Sequence, residues 1–578
     1  MNELCSRKWV PKRKPFETET VSKLCKELGI SSQLASLLIS RGFCEYATAH
    51  KFLNPSLHDL PDPFLMAGME QAVSRLELAF CRQEKIIVFG DYDMDGIAAT
   101  TILVDYLRKT GFEVDFIIPS RLTEGYGLNA NAVKLIAEEG ATLLVTVDCG
   151  ISSFAEAQLA KSLNLDLIIT DHHQIPEKLP AALAIINPHL DHCRYPDKNL
   201  AGVGVVFNLM MALRRHLRQS GLAREINLLQ YLDLVALGTV ADIMLLTGVN
   251  RILTSYGLVE INKANRLGLR ALLEASRFPH GQEVKARDLA YRLAPRINAV
   301  GRIDNAKIAV ELFLTNDKAI ARQRAQFLEE CNTLRRKIES DIKEEVEEIL
   351  SGGNEYADKR AIILASEKWH PGVVGIVSSR IAEDHAKPTI LMALEKGVGR
   401  GSGRSVPGLN LVKALEYCQS HLLRFGGHEQ AVGLTINEKE IPGLREGIEE
   451  FLTRSDFKIR GLPDLEIDAY LEPLEINQKL LNEIELLEPL GPGNPEPIFA
   501  LRKMRLLKTL SVGQSRKRHF KFTFAGEQDT RLSGIAFNFN GISPKSGDQL
   551  DLAFTAEKNT WQGKTEIRLN LIDFHFYQ

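Results

Sequence analysis

The sequence predicts an α/β protein of two α/β lobes joined by a long helix, with a small β-barrel at the C-terminal end. Three observations lead there. From about residue 68 to 200, short β-branched runs alternate with helical segments. Residues 316–350 form one uninterrupted helical stretch rich in Lys, Arg and Glu. Beyond about residue 460 apolar and polar residues alternate with little helical period.

The elements follow in order. Residues 1–60 read as a small helical region, with SKLCKELG and SSQLASLLISRG at helical spacing and NPSLHDLPDP closing it with turn residues. Within 61–315, KIIVFG, EVDFIIP, LLVTVD, LDLIITD and LAIIN read as strands, and the segments between the first four as helices. That rhythm is the pattern of a doubly wound parallel sheet. Residues 316–352 are the connecting helix, stopped by Ser351-Gly352-Gly353. A second α/β lobe follows over 353–455, with AIILAS and PTILMAL as strands. Over 460–578, RLLKTLSV, HFKFTFAG, RLSGIAFNF, DQLDLAFTAEKN and KTEIRLNLIDFHF supply five short strands. Such a set closes into a barrel, for which an OB-fold is the natural candidate.

Composition excludes several classes. A chain of 578 residues exceeds one core, and a net charge of −3 gives no global basic field for nucleic acid. The basic start MNELCSRKWVPKRKPF has no apolar run after it, and no apolar stretch reaches membrane-spanning length. No signal peptide and no membrane association are therefore expected. The eight cysteines are scattered without a CxxC pair, which argues against a zinc ribbon or disulfide framework and for a reducing, cytoplasmic setting.

Four segments carry chemistry. Asp91, Asp93 and Asp95 lie in VFGDYDMDG, Asp148 ends LLVTVDCG, Asp171-His172-His173 ends LIITDHH, and Asp242 lies in GTVADI. The first three follow apolar strands, and strand ends of an open α/β sheet face one crevice. Each acid alone has a plainer account as a helix cap. Crowded buried carboxylates repel, however, and a cation is the simplest remedy. Oxygen donors with imidazole suit Mn²⁺ or Mg²⁺ better than Zn²⁺, so the set reads as a two-metal hydrolytic centre.

Taken together, the four segments resemble the DHH phosphoesterase superfamily and, within it, the RecJ-type single-strand exonucleases. WHPGVVGIVSSRIAE (369–383), GRGSGRS (399–405) and GGHEQAVG (426–433) are similar to the DHHA1 domain paired with it. LGPGNPEP (490–497) is likewise RecJ-like. The resemblance implies that Asp93, Asp95, Asp148, His172 and Asp242 bind two Mn²⁺ or Mg²⁺ ions. Asp91 and His173 are left as further ligands or supports. It also implies 5′→3′ degradation of single-stranded DNA to 5′-mononucleotides in recombination and repair. A single-strand-binding protein and a RecQ-type helicase are implied as partners, and a monomer is expected.

For the second lobe, Arg400, Ser402, Arg404 and Ser405 are expected to bind substrate phosphate, with Gly399, Gly401 and Gly403 letting it approach the backbone. His370, His428, Arg296 and Arg302 are further substrate-binding candidates. Solvated arginines on a glycine-rich loop, and structural ion pairs for Arg296 and Arg302, are the alternatives. In the barrel region, residues 498–524 hold eight Lys or Arg and no acid. Arg516, Lys517, Arg518 and Lys521 with Phe520, Phe522 and Phe524 read as a single-strand surface, unless the rings point inward as core. Two rival functions are a small-substrate phosphodiesterase of the same superfamily and a non-catalytic single-strand-binding scaffold. The long N-terminal region and basic tail argue against the first, and the complete acid set against the second.

Overall fold

The computed structural model describes residues 7–12, 18–121, 124, 125, 127–222, 224–352, 359–455, 457, 463–512, 519–525, 531–537, 544–561 and 564–577. The chain divides into two compact units, one of residues 61–244 and 256–461, the other of residues 1–60, 245–255 and 462–578.

The first unit holds both α/β lobes. Its first sheet has five parallel strands: β1 (Ile86–Gly90), β2 (Val114–Ile117), β3 (Leu143–Val147), β4 (Asp166–Thr170) and β5 (Ala184–Ile186). The spatial order is β2-β1-β3-β4-β5. β1 and β3 are buried throughout because helices cover both faces, which is why their sequences are continuously apolar rather than alternating. The order reverses between β1 and β3, and that switch point opens a crevice at the carboxyl ends of these two strands.

The second lobe has a mixed sheet of β6 (Ile362–Ser366), β7 (Thr389–Glu395), β8 (Val398–Arg404), β9 (Leu422–His428) and β10 (Ala431–Asn437), in the order β9-β10-β8-β7-β6. Only β6 and β7 run parallel. The helix Lys318–Ser351 joins the lobes. Ala321, Ala325 and Leu328 are buried on its first half, and Ile342 and Val346 enter the core of the second lobe with Trp369 and Val377. Where it leaves the first lobe, Arg335 donates to Glu339 and Asn332, and Arg380 of the helix Val374–His385 closes on the same Glu339. These pairs carry charge through a buried segment without stranding it.

In the second unit, β11 (Phe499–Val512), β12 (His519–Ala525), β13 (Arg531–Ala536), β14 (Gln549–Trp561) and β15 (Lys564–Phe576) close into a five-stranded barrel. β11 pairs with both β12 and β14, so no free edge is left among these strands. Phe520, Phe522 and Phe524 are at most 8 % exposed and stack on one another inside the barrel. The expectation that these rings form a stacking surface is therefore overturned. They fill the barrel, and the residues alternating with them face out. Arg516, Lys517 and Arg518 lie outside the described residues.

The N-terminal helices Thr18–Leu28, Ser32–Ser40 and Tyr46–Leu53 do not stand apart. Leu24, Leu34 and Leu38 share one core with Leu480, Phe499 and Phe554. The LGPGNPEP segment has a structural task in this unit. Asn494 donates to the carbonyls of Leu487 and Pro489 and accepts from Arg41. Arg251 lies over the Phe52 ring and donates to the carbonyls of Phe52, Leu487, Glu488 and Pro489. The residue is 2 % exposed, and the Phe52 and Glu488 carbonyls take their side-chain donor from it alone, while those of Leu487 and Pro489 share it with Asn494. Arg251→Met is expected to cost about 2–4 kcal/mol, because the Phe52 and Glu488 carbonyls lose their side-chain donor. A thermal melt should show this unit unfolding earlier than in the parent protein.

Candidate metal centre and phosphate-binding face

Each strand of the switch point ends in an acid. β1 is followed by Asp91, and Asp93 caps the helix Met94–Thr110 by accepting from the backbone of Asp95 and Gly96 at 3.0 and 3.2 Å. β3 is followed by Asp148, which takes left-handed backbone at φ 60. That conformation is uncommon outside glycine and is tolerated best by Asn and Asp. Gly202 lies against it: a Cβ there would sit 2.5 Å from Asp148 Oδ1, so any larger residue would occupy the space of the carboxylate.

Asp95 is buried and accepts from the first backbone N–H groups of the helix Gly202–Gln219, from Gly202 at 2.6 Å and Val203 at 3.0 Å. A helix N-terminus thus compensates part of its charge. His172 follows β4. Its Nε2 faces the acids, 3.1 Å from Asp148 Oδ1, 3.6 Å from Asp242 Oδ2 and 3.9 Å from Asp95 Oδ2. Donor atoms of three sets come within 4.8 Å of one another: Asp91 with Asp93 and Asp148, Asp95 with His172 and Asp242, and Asp148 with His172 and His173. The structure therefore brings all seven sequence-predicted residues of the acid-and-imidazole set together.

Asp171 was read only as part of a strand-end tripeptide, and its task emerges from the fold. It is buried and accepts from the backbone of Ile151, His172 and His173, at 2.9, 2.7 and 3.0 Å, and meets His173 Nδ1 at 2.7 Å. Burial works against its charge, yet the His173 bond and charge hold its carboxyl below the ordinary range. Asp171 is thus spent on shaping the loop that presents His172. His173 is the reciprocal case: burial opposes protonation, but Asp171 lifts the ring to about 9.

The other acids are in the opposite position. Burial first, and then the charge of neighbouring carboxylates, Asp93 among them in every case, raise Asp91, Asp95 and Asp148 well above the carboxylate range, and Asp242 to about 7. Burial pushes His172 down to about 4, so its ring is neutral at physiological pH and free to act as a ligand. Asp91 Oδ1 is buried and accepts no hydrogen bond, and Asp148 Oδ1 receives none despite its nearness to His172. Unsatisfied carboxylate oxygens beside a neutral imidazole fit divalent Mn²⁺ or Mg²⁺ and give no thiolate for a zinc site.

Cations from both lobes gather nearby, Arg121 and Arg302 from the first and Arg404 from the second. Arg302 is half-buried, donates to the Gly372 carbonyl at 3.0 Å, and is pushed down to about 9 by desolvation and by Arg121, Arg335 and Arg404. Arg404 donates to Ser402 Oγ at 3.1 Å and is itself lowered by burial and by Arg121. Arg121 lies over the Tyr92 ring, 5.0 Å from its centroid, and its charge also acts on Asp91. No sequence signal singled out Arg121, because it stands alone in a loop. Like cations held close and partly dehydrated favour an anion between them.

The glycine run behaves differently from expectation. Gly399, Gly401 and Gly403 belong to β8, whose backbone is paired to β7 on one side and β10 on the other. Cβ atoms at these positions would strike Leu394, Met392 and Val432, among others. The glycines admit the lobe's core, and their N–H groups are committed to the ladder rather than to phosphate. Arg400, Ser402 and Arg404 alternate onto the other face. Arg296 is ion-paired to Glu329 and donates to the Arg292 carbonyl. Ser405 donates to the Leu409 carbonyl. His370 Nδ1 accepts from the Gly372 backbone beside Arg302, and burial lowers its pKa. His428 is exposed at the end of β9.

A parallel sheet with buried acids at its switch point, beside a cluster of arginines drawn from both lobes, defines a metal-dependent phosphoesterase. The family models agree: the DHH family N-terminal domain matches residues 85–239, the DHHA1 domain 358–454, and the RecJ OB domain 467–573. The chain is 37 % identical over 567 residues to the single-stranded-DNA-specific exonuclease RecJ of Bacillus subtilis, covering 96 % of this chain and 70 % of the relative. It is 37 % identical over 523 residues to that of Escherichia coli K12, covering 87 % and 89 %. The crystal structure of RecJ from Thermus thermophilus in complex with Mn²⁺ superposes with a TM-score of 0.83 at 30 % identity, over 100 % of this chain and 80 % of that one. The Mg²⁺ complex of the same protein gives 0.78. This chain belongs to the RecJ family.

Two expectations follow. An acid whose folded pKa is raised destabilises the fold as pH climbs from its unfolded value to its folded one, here from about 4 to about 7 for Asp242. A bound cation removes that penalty, so Mn²⁺ should raise the melting temperature more at pH 8 than at pH 5, as read by differential scanning fluorimetry. Asp171→Ala should leave the ligands in place but loosen the His172 loop, raising the Mn²⁺ concentration needed for half-maximal activity by about 10- to 100-fold.

Proposed function

We propose that the protein degrades single-stranded DNA from its 5′ end, hydrolysing phosphodiester bonds with two Mn²⁺ or Mg²⁺ ions and releasing 5′-mononucleotides. The single observation that carries the hydrolytic part is the buried cluster of Asp91, Asp93, Asp95, Asp148, Asp242 and His172 at the switch point. The single-strand preference is supported by membership of the RecJ family, whose relatives are named for that specificity, and the 5′ polarity is what the resemblance implies.

Asp93, Asp95, Asp148, Asp242 and neutral His172 would hold the ions, with Asp91 beside Asp93 and Asp148. When bound, such ions activate water and stabilise the departing oxygen. The protein's own groups do the rest. The helix N-terminus at Gly202 orients the Asp95 carboxylate, and Asp171 fixes the loop of His172 and His173. Arg302, Arg404 and Arg121 neutralise the substrate phosphates, with Ser402 as a hydroxyl donor and Arg400, His370 and His428 along the second lobe. Arg296 and Ser405 support this face through their structural bonds rather than by touching phosphate. In the barrel the basic residues, Lys521 among them, track the DNA backbone electrostatically. A single-strand-binding protein and a RecQ-type helicase are the expected co-workers, with the chain acting as a cytoplasmic monomer. No helix among the described residues is long and apolar enough to cross a membrane.

The test is digestion of a single-stranded oligonucleotide labelled at either end, with Mn²⁺ and with a blunt duplex as control. Early release of a labelled mononucleotide from the 5′-labelled strand, with the duplex intact, is expected. Hydrolysis of dinucleotides or pyrophosphate alone would replace this reading with a small-substrate phosphodiesterase. Asp95→Ala should abolish cleavage and leave single-strand binding in a gel-shift assay within about threefold of the parent, since affinity rests mainly on the cationic groups.

A further inference from the structure

The helix Leu232–Ala241 is apolar on every side, and its residues from Leu232 to Val240 are buried. It ends in a Schellman turn: Ile243 N–H donates to the Val240 carbonyl and Met244 N–H to the Thr239 carbonyl, at 3.2 and 3.3 Å. That turn places the residue after the cap in left-handed backbone, where glycine or asparagine is the usual occupant. Here the cap is Asp242, a member of the acid cluster, and the left-handed residue is Ile243 at φ 57. Among the described residues no other β-branched side chain has positive φ. Ile243 is also 74 % exposed, directly after a helix whose apolar side chains are otherwise interior.

Two disfavoured features thus coincide at one position: a β-branched residue in left-handed backbone, and a large apolar side chain in water. Neither helps the turn, which glycine would make more easily. The position adjoins the part of the cluster that opens to solvent. The Asp242 side chain is 31 % exposed and that of His173 45 %, whereas Asp95 and Asp148 are interior.

We propose that Ile243 is a substrate-contacting residue, the apolar surface against which the base next to the scissile phosphate rests. The inference builds on the reading of the site as one for single-stranded DNA and names a contact within it. A base is the part of a nucleotide that an alkyl side chain can desolvate with profit, since sugar and phosphate are polar. Every base has such a face, so the contact carries no sequence preference. An inorganic or short phosphate substrate would find no use for it.

The experiment compares cleavage of a 5′-phosphorylated oligonucleotide with that of the same strand made abasic at the nucleotides flanking the first scissile phosphate. Ile243→Gly and Ile243→Asn suit left-handed backbone, and Ile243→Val keeps the apolar contact. Gly and Asn variants should raise KM on the intact strand about tenfold, the loss of one modest apolar contact, with kcat within about threefold. Ile243→Val should stay within about twofold of the parent. On the abasic strand parent and Ile243→Gly should be indistinguishable, and the melting temperature of Ile243→Gly should be no lower than the parent's. Parental kinetics for Ile243→Gly on the intact strand, or an equal loss on both strands, would overturn the contact. A parent protein that cleaves neither strand would instead overturn the functional reading and the contact with it.

Discussion

Mutual repulsion among carboxylates buried at the carboxyl edge of one parallel sheet is the constraint on which this molecule turns. Asp91, Asp95 and Asp148 are almost wholly buried, and beyond that burial the charge of Asp93 raises the cost of ionising all three, with Asp242 acting on Asp95 and both Asp95 and Asp91 acting on Asp148. The surrounding structure is arranged to make that crowding bearable. The first N–H groups of the helix Gly202–Gln219 point at Asp95, Gly202 leaves room for the Asp148 carboxylate, and Asp148 accepts left-handed backbone to aim it. What local dipoles leave uncompensated is negative charge, including that on Asp91 Oδ1 and Asp148 Oδ1, which accept no hydrogen bond. That remainder is the physical basis for a site of hard divalent ions.

The arginine face answers the acids with the opposite sign. Arg404 is held close enough to Arg302 to lower its proton affinity, and Arg121, from the loop after β2, lowers both while acting on Asp91. One group of charges wants cations and the other wants anions, and a metal-bound phosphodiester supplies both at once. The helix Lys318–Ser351 carries this relation. Its Arg335 bears electrostatically on Arg302, while Glu339 ties it to Arg380 of the second lobe. Charged residues on that helix therefore have partners to satisfy, beyond keeping it soluble.

The barrel unit shows how ring periodicity misleads. Phe520, Phe522 and Phe524 do share a face, but a closed five-stranded barrel has an interior that must be filled, and those rings fill it. The basic character of the segment remains on the outer positions such as Lys521. Alternation in a strand tells which residues share a side and leaves open which side is inside. The N-terminal helices are a second case. Their apolar stripes were visible, but the surface that covers them is supplied by residues more than 400 positions away, such as Leu480 and Phe554.

From the sequence alone came the alternation of strands and helices, the strand-end acids, the connecting helix and the five barrel strands. Each is written in local periodicity, and a carboxylate after a buried β-branched run is conspicuous because burial of charge is costly. The seven candidate residues at the centre were all legible for that reason. The tertiary structure decided the tasks of residues whose meaning depends on distant neighbours. Asp171 became a loop anchor rather than a free acid, Arg121 joined a cationic cluster, and the β8 glycines gave space to a core instead of to phosphate. Asn494 and Arg251 became the donors that hold a buried turn together. These assignments are hydrogen bonds and van der Waals contacts between residues far apart in the chain. They come into being only when strand order and register bring the groups within a few ångströms, so a linear pattern cannot carry them.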